Sequence, residues 1–466
     1  MARARAEQHP ASTGNGLLVA VGLGIVFLLF MSFLNVVKSG NLFNESNLLF
    51  AALIFYVGAT ALYISFGVTG IERYVKAASW VTVAGFVANT LAVGHRWYAA
   101  GHPPFASIYE MLLSFTWTIV GLTLLAERKF QVKVIGTVTM PLAVTAVTLM
   151  QLLPSEVRPL VPALQSTWLH VHVTLAMLSY AACALSFALA MMFLIQDRMK
   201  TETFMAATSG LVTLIYAGIL TRFERWGGLS VIAWNPQEKE EVMLSRGVRL
   251  MVTIPDLGWF FLLVLLAVAA PLAIYVWARW RKNDNALTLA NRAVFVGIVL
   301  QAVTLAAFYV RANNGQYPSL DAEGLFPTRL KASPFILSGM VSGIFASLLY
   351  LMMYWRRADL ERLLPDTDTL DRITYKTIGI AFPLLTLMIA AGAYWANRTW
   401  GSYWSWDPKE TWAAITWLVY AGYLHMRITR GWRGRRAAYF AILGFGVVMF
   451  TFFGVTYLLP GLHAYA

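Results

Sequence analysis

The sequence predicts an all-α, polytopic membrane protein, folded as a bundle of about thirteen transmembrane helices. Hydrophobic residues make up 58% of the 466 positions and charged residues only 13%, whereas soluble domains average about 45–50% apolar and about 25% charged residues. The apolar residues are gathered into runs long enough to cross a bilayer, which takes about 17–25 residues. Because backbone groups in lipid must be hydrogen-bonded within their own segment, these runs are predicted to be helices.

The apolar runs are spread over the whole chain. The run nearest the N-terminus, 15–37, follows Arg3 and Arg5 as the apolar part of a signal peptide would. It is too long for that role and lacks a clear small-residue cleavage site, so it is predicted to be a retained helix. The other runs lie near residues 48–68, 77–97, 108–126, 133–152, 168–196, 205–222, 257–280, 288–311, 335–356, 373–396, 410–428 and 435–458.

The positive net charge is explained by membrane orientation rather than by nucleic-acid binding. The chain has a formal charge of +13, but its cations are distributed over short loops and do not gather on one element. With the N-terminus in the cytoplasm, most of the 36 Lys and Arg residues fall on the inner side, as the positive-inside rule requires. We therefore predict an inner N-terminus, an outer C-terminus, membrane lipids as surroundings and no nucleic-acid partner.

An aromatic segment, Trp400–Trp412, stands out near the C-terminus. It contains four Trp and one Tyr together with Asp407, Lys409 and Glu410. Trp and Tyr rings are apolar at one end and polar at the other, so they favour the membrane boundary. The segment is therefore predicted to lie flat at the outer face, with its two acids capping the helix that follows.

Two histidines, His172 and His463, come from helices far apart in the sequence, and the predicted topology brings both to the level of the aromatic segment. Haem is a flat apolar disc with two carboxylates; a bis-histidine site needs an imidazole on each face of the iron and aromatic walls. This pattern predicts a site for haem b, held non-covalently, with His172 and His463 as iron ligands. The predicted walls are Trp400, Tyr403, Trp404, Trp406 and Trp412, and the predicted contacts of the haem carboxylates are Lys409, Arg398 or Arg96. His170 lies about 200° from His172 around the same helix, so the two cannot face one ligand.

His425 lies at a different depth. It follows Glu410 on one helix by about 15 residues, or about 22 Å, and so cannot share an iron with His463. A histidine within the membrane is a functional candidate, and an anchor near the inner interface is the alternative, since Arg427 follows closely. As a ligand, His425 would need an imidazole from a partner protein, because no other histidine is predicted at its depth.

Several short motifs form a recognisable set. They are Leu370-Asp-Arg372, Trp395-Ala-Asn397, the aromatic segment with its WWD residues, Tyr423-Leu-His-Met-Arg427, Gly431-Trp-Arg-Gly-Arg435, Gly461-Leu-His463, Gly101-His-Pro-Pro104 with Tyr109-Glu110, and Trp168-Leu-His-Val-His-Val173 with Tyr180. This set resembles the CcsA/ResC-type cytochrome c biogenesis proteins, the haem-handling membrane subunit of the System II cytochrome c synthetase. The resemblance is almost continuous from Leu360 to Ala466.

The resemblance implies a set of site residues. His172 and His463 are the implied outer axial ligands that flank the WWD segment, which includes Asp407. His425 is the implied ligand of a transmembrane haem, whose second ligand belongs to a separate CcsB/ResB-type membrane protein.

The resemblance also implies an activity, that of a holocytochrome c synthase (cytochrome c haem-lyase) in the bacterial cytoplasmic membrane. Haem moves to the outer, periplasmic site and is joined there to the Cys-x-x-Cys-His motif of apocytochrome c. The single cysteine, Cys183, fits this role, since one thiol cannot form a redox pair. The reacting thiols would come from the acceptor, kept reduced by external thiol reductants.

The resemblance divides the chain into four parts. Residues 1–47 contain an extra N-terminal helix, and 48–199 form the first part of the core with five spans. Residues 200–356 are predicted to be an insertion with about four spans, and 357–466 form the second part of the core. The outer loop of the insertion, 223–256, is expected to be a solvated connector rather than a small extramembrane structure.

Two other functions remain open on the sequence. One is a haem transporter or chaperone, as in the WWD proteins of System I, which hands haem to another catalyst. The other is a membrane electron carrier with two fixed haems, which would require two complete ligand pairs in one chain.

Overall fold

The computed structural model describes residues 44–153, 155–157, 159–235, 240–242, 250–319, 323–329, 333–459 and 461–462. The predicted first helix at 15–37 and His463 lie outside the described residues. Long helices dominate the described part of the chain, which confirms the predicted all-α class.

The long helices follow the predicted apolar runs in order. They are α1 Glu45–Thr69, α2 Glu72–Ala100, α3 Ile108–Phe130, α4 Gly136–Leu152, α5 Thr167–Gln196, α6 Thr201–Leu220, α7 Leu257–Arg281, α8 Asp284–Asn314, α9 Pro334–Leu363, α10 Thr367–Trp400, α11 Pro408–Thr429 and α12 Arg435–Met449. A π-helical turn, Phe450–Gly454, and a short helix, α13 Val455–Leu458, complete the last run. Ten of the described helices are long and apolar enough to cross a membrane, which confirms a polytopic membrane protein.

Capping residues set both ends of α10, the helix that leads into the aromatic segment. Asp366 precedes α10, and its side chain accepts a hydrogen bond from the Thr369 N–H at 2.8 Å. Such a cap satisfies one of the first four N–H groups, which have no partner within the helix. At its other end α10 stops at Gly401, whose left-handed backbone turns the chain into the aromatic segment.

Helix α5 lies at the centre of the bundle. Of its most apolar 18-residue window, 83% is buried, against 22–61% for the other membrane-length helices. It packs along α10 and also contacts α3 and α12. The main core is built mostly by α1–α5 and α10–α12, with a few residues from α6, α8 and α9. Its central helix, α5, packs along α10 from a distant part of the sequence.

Helices α6–α9 form a second core with a cap of short strands. The strands are β1 Leu229–Ile232, β2 Trp234–Asn235, β3 Glu240–Glu241, β4 Met251–Ile254, β5 Gln316–Pro318 and β6 Leu325–Pro327. They pair antiparallel as β1 with β4, β2 with β3 and β5 with β6. The expectation of a solvated connector at 223–256 was wrong, because all four residues of β1 are buried and two of them, Leu229 and Val231, belong to the second core.

Candidate functional site

An open cavity lies where α5, α10 and the aromatic segment meet. Its free volume is about 140 Å³. The lining is mostly apolar, with polar groups from a few side chains. The polar or aromatic lining residues are Phe105, His172, Tyr180, Trp395, Tyr403, Trp404, Lys409, Glu410, Thr451 and Phe452.

His172 stands in the cavity wall with its ring fixed by α10. Its Nδ1 lies 2.8 Å from the carbonyl oxygen of Met388. A carbonyl oxygen can only accept, so Nδ1 carries the proton and Nε2 is the basic nitrogen of the neutral ring. The Trp395 ring stacks on the imidazole at 6.2 Å between centroids and 17° between planes. These contacts set the orientation and the tautomer that a metal-ligating histidine needs.

Gly392 makes the close approach of His172 to α10 possible. A Cβ at this position would lie 2.7 Å from both Cε1 and Nδ1 of the imidazole. Any side chain would therefore push the ring away from the helix. Helical spacing of apolar residues does not reveal this role, because it depends on which helix packs opposite.

Two of the five aromatic residues predicted as walls line the cavity, Tyr403 and Trp404. The indole nitrogen of Trp404 is buried and has no hydrogen-bond acceptor among the described residues. Trp406 packs edge-on against Trp404 at 5.9 Å and 90° but is 75% exposed. A buried N–H at the cavity is a donor for a polar group of a ligand.

The other two predicted wall residues support the cavity from outside its lining. Trp400 packs edge-on against Trp395 at 4.8 Å, and Trp412 packs on Phe450 at 4.3 Å. Trp395, which the prediction of the walls missed, is only 1% exposed and lines the cavity. Its indole N–H donates to the Ala163 carbonyl at 3.1 Å, so it braces the stacked His172.

The start of α11 is a capping box, as predicted for its two acids. Asp407 Oδ2 accepts from the Lys409 N–H at 3.0 Å, while Glu410 Oε2 accepts from the Asp407 N–H at 3.3 Å. The same Glu410 oxygen accepts from the Ser405 N–H at 2.8 Å. Asp407 Oδ1 also accepts from the Leu462 N–H at 2.5 Å. Glu410 thus holds the aromatic segment to the helix, and Asp407 holds the C-terminal tail.

The three cations predicted at the haem edge occupy different places. Lys409 lines the cavity, and burial lowers the pKa of its ammonium group to about 8, although the nearby Asp407 opposes this shift. Arg398 instead donates to the Tyr394 hydroxyl at 3.1 Å on the surface. Arg96 is 2% exposed and takes part in a buried ionic network.

That ionic network joins α1, α2 and α3 beside the cavity. Arg96 Nε donates to Glu110 Oε1 at 2.8 Å, and Arg96 Nη1 lies 3.4 Å from Glu45 Oε2. The same guanidinium donates to the carbonyls of Ser155 and Glu156 at 2.6 and 3.1 Å. Arg96 is therefore committed to holding two loops together.

Glu110 connects the network to the cavity wall. Its second oxygen, Oε2, accepts from the Ala106 N–H at 2.7 Å. Phe105 and Ala106 line the cavity, and the Phe105 ring lies 6.3 Å from that of His170. The motif Tyr109-Glu110 draws attention to Glu110 in the sequence. The sequence does not reveal that Arg96 and the Ala106 N–H are the partners of this carboxylate.

His425 lies away from the cavity. It is an exposed residue in the last turn of α11, with its carbonyl accepting from the Thr429 hydroxyl at 2.6 Å. The other described histidines, His95, His102, His170 and His172, belong to the end of the bundle that holds the aromatic segment. The described residues therefore contain no second histidine at the level of His425.

The residue types in the cavity wall suit haem. One imidazole has a fixed tautomer, the walls are apolar and aromatic, and Trp404 and Lys409 provide an N–H donor and a cation. Haem binding needs this combination. The second predicted ligand, His463, adjoins the described Leu462 in the chain.

Comparison with known proteins finds a matching family and several relatives that share one name. Residues 105–316 and 333–463 match the family described as cytochrome C assembly protein. The protein named cytochrome c biogenesis protein CcsA from Nostoc punctiforme is 35% identical over 389 residues, which cover 83% of this chain and 86% of that protein. Proteins of the same name from Picosynechococcus and Rippkaea orientalis are 33% and 32% identical over 422 and 445 residues. These cover 90% and 93% of this chain and 94% and 99% of the relatives.

The family match also extends beyond the cavity. It includes residues 200–316 and 333–356, most of the segment that the resemblance assigned to an insertion. The division of the chain into core and insertion stays a prediction. The cavity, the aromatic segment and α6–α8 all lie within the matched residues.

Proposed function

The chain belongs to the cytochrome c assembly family, as a CcsA-type cytochrome c biogenesis protein, and we propose that it is the haem-handling subunit of a cytochrome c synthetase. Its role in cytochrome c maturation follows from the family. The proposal adds a haem site at the aromatic segment and the attachment of that haem to apocytochrome c.

One observation carries the proposal: the imidazole of His172, held by α10 in a ligand-competent tautomer, stands in the wall of an aromatic cavity. A histidine with a purely structural role needs no aromatic cavity beside it. In the proposed site His172 and His463 bind the two faces of the iron, and the aromatic segment holds the macrocycle. Lys409 then lies where a haem carboxylate can be neutralised.

The proposed reaction is the addition of two thiols to two vinyl groups. Each acceptor S–H adds across one C=C bond, forming a C–S bond at the carbon next to the ring and placing the proton on the terminal carbon. No electrons are gained or lost, so thiol reductants serve only to keep the acceptor cysteines reduced. The contribution of this chain is orientation, which can lower a barrier by about 7–11 kcal/mol in favourable cases.

The proposed topology puts the aromatic segment on the periplasmic side of the bacterial cytoplasmic membrane. It comprises about thirteen spans, with the N-terminus inside. In this orientation His425 lies toward the inner face, exposed on α11. A CcsB/ResB-type partner would supply the second ligand of a transmembrane haem there, and haem would pass from that site to the cavity.

Reconstitution tests this function. The chain would be expressed with a CcsB/ResB-type partner and a Cys-x-x-Cys-His apocytochrome in cells that lack other cytochrome c maturation systems. Holocytochrome c should form only when both membrane proteins are present. Haem-loaded complex without covalent attachment, even with reduced acceptor thiols, would instead identify a transporter of the System I kind.

Gly392→Ala is expected to displace the His172 ring without altering α10. The new Cβ would lie 2.7 Å from the imidazole, so in a His425→Ala background the affinity of the cavity for added haem should fall by about tenfold, the lower part of the range seen when outer-sphere support of a ligand is lost, and the low-spin bands should weaken. The matched control is Gly379→Ala on the same helix, where an added Cβ meets nothing within 4 Å. Equal spectra for the two variants would contradict the assigned role of Gly392.

Lys409→Gln is expected to weaken haem retention by about tenfold, equivalent to about 1.4 kcal/mol. The reason is that a cation lining the cavity is lost while the capping backbone remains. Retention would be measured as haem transfer to excess apomyoglobin. Arg398→Gln is the control, because Arg398 contacts Tyr394 on the surface rather than the cavity; equal transfer rates for both variants would speak against the carboxylate contact.

A further inference from the structure

The carboxylate of Asp407 makes two contacts that belong to different parts of the chain. Oδ2 accepts from the Lys409 N–H at the start of α11. Oδ1 accepts from the Leu462 N–H in the C-terminal tail, 55 residues further on. Asp407 is only 6% exposed. A helix cap requires one side-chain oxygen, so the contact to the tail is a separate function of this side chain.

The backbone of the tail lies directly against Asp407 at Gly461. A Cβ at Gly461 would lie 2.3 Å from Asp407 Oδ1 and 2.9 Å from Pro408 Cδ. Only glycine therefore allows the backbone to approach the carboxylate this closely. The tail meets the start of α11 with backbone against side chain at two successive residues, Gly461 and Leu462.

This contact lies one residue before the proposed ligand His463. Consecutive Cα atoms are about 3.8 Å apart, so the Leu462 hydrogen bond restricts where the next residue can begin. Chain termini are poorly ordered unless something ties them down, while an iron ligand must be held to within about 0.5 Å. Helix α13 ends at Leu458, so the helix itself does not hold this part of the tail.

We propose that Asp407 is a positioning residue that ties the tail carrying His463 to the aromatic segment, so that haem platform and second ligand are held by one side chain. This inference rests on the proposed function. Glu410, through its bonds to Ser405 and Asp407, fixes the aromatic segment to the same helix start. The aromatic segment and the tail up to Leu462 are therefore both fixed to the start of α11.

Two variants separate the contact of Asp407 with the tail from its capping of α11. Asp407→Ser keeps a good capping residue but has one oxygen where the carboxylate has two. Gly461→Ala leaves Asp407 unchanged and adds the Cβ that would clash with it. Asp366→Ser is the matched control, since Asp366 caps α10 through the Thr369 N–H.

The first measurement follows the tail and does not depend on haem. A spin label is attached to Leu462→Cys in the purified complex with its CcsB/ResB-type partner; Leu462 is 43% exposed, whereas the native Cys183 is fully buried. Asp407→Ser and Gly461→Ala should narrow the room-temperature spectrum, and Asp366→Ser should not. An unchanged spectrum in the first two variants would overturn the proposal.

The second measurement follows the iron in a His425→Ala background, which removes the other proposed ligand of this chain, with haem added to the purified complex in detergent. The affinity of the cavity for haem should fall by about tenfold in Asp407→Ser and Gly461→Ala, the low-spin bands should weaken, and added imidazole should restore those bands. If Asp366→Ser lowers haem binding by the same factor, the effect belongs to helix capping in general, and the proposed role of Asp407 in holding the tail is overturned. If His463→Ala leaves the spectrum unchanged, the ligand assignment itself fails, which distinguishes failure of the proposed function from failure of this inference.

Discussion

Replacing His172 by Ala is expected to reduce holocytochrome c formation by about 100-fold or more, since loss even of an outer-sphere partner costs about 10–100-fold. His172 provides the described imidazole of the proposed iron pair, and α10 fixes its ring through the Met388 carbonyl. Without it, haem at the aromatic segment would be held on one face only. The measurement is covalent haem in the acceptor cytochrome, detected after denaturing electrophoresis.

The control for this prediction is His170→Ala. His170 lies on the same turn of α5 but about 200° away around the helix axis, and its ring neighbours Phe105 rather than Trp395. It should leave holocytochrome c formation near the wild-type level. Equal activity of His172→Ala and wild type would remove His172 from the site.

Glu110→Ala is expected to lower the free energy of unfolding by about 3–5 kcal/mol, the cost of breaking a buried ion pair from one side. Arg96 and Glu110 have side chains only 2% and 3% exposed, so the variant leaves a buried guanidinium with fewer partners. It also removes the acceptor of the Ala106 N–H, which loosens one wall of the cavity. Denaturant unfolding of the purified protein in detergent measures the change.

The matched control is Lys133→Ala, which breaks the pair between Lys133 and Glu72. These side chains are 45% and 61% exposed, and solvent screening and side-chain entropy leave such exposed pairs with little net effect on stability. If both variants lower the free energy of unfolding by similar amounts, the buried Arg96–Glu110 pair stabilises the protein no more than the exposed pair does.

The helices were predictable from sequence because lipid imposes long apolar runs. The ends of the helices were less predictable. The run predicted at 77–97 is part of a longer helix, Glu72–Ala100, since charged residues can continue a helix beyond the apolar region. The strands beyond α6 escaped prediction because they depend on β1 pairing with β4 across about twenty residues. Periodicity in one segment contains no information on that pairing.

The site was predictable in its residue types and less so in its contacts. His172 and Trp404 were named because the predicted topology brought a histidine and a dense aromatic segment to one level of the membrane, and both residues line the cavity. Arg96 was named as a haem contact because its charge is visible in the sequence, whereas its partners Glu110 and Glu45 are brought to it only by folding. The roles of Gly392 and Gly461 likewise depend on packing between segments distant in the chain.

The absorption spectrum of the purified complex, prepared in a His425→Ala background and loaded with haem added in detergent, tests the central claim most directly. If the cavity at the aromatic segment binds haem through His172 and His463, the spectrum should be that of six-coordinate, low-spin, bis-imidazole haem. Adding His172→Ala should then abolish the low-spin bands, and adding His170→Ala should not. A low-spin spectrum that persists unchanged without His172 would contradict the account.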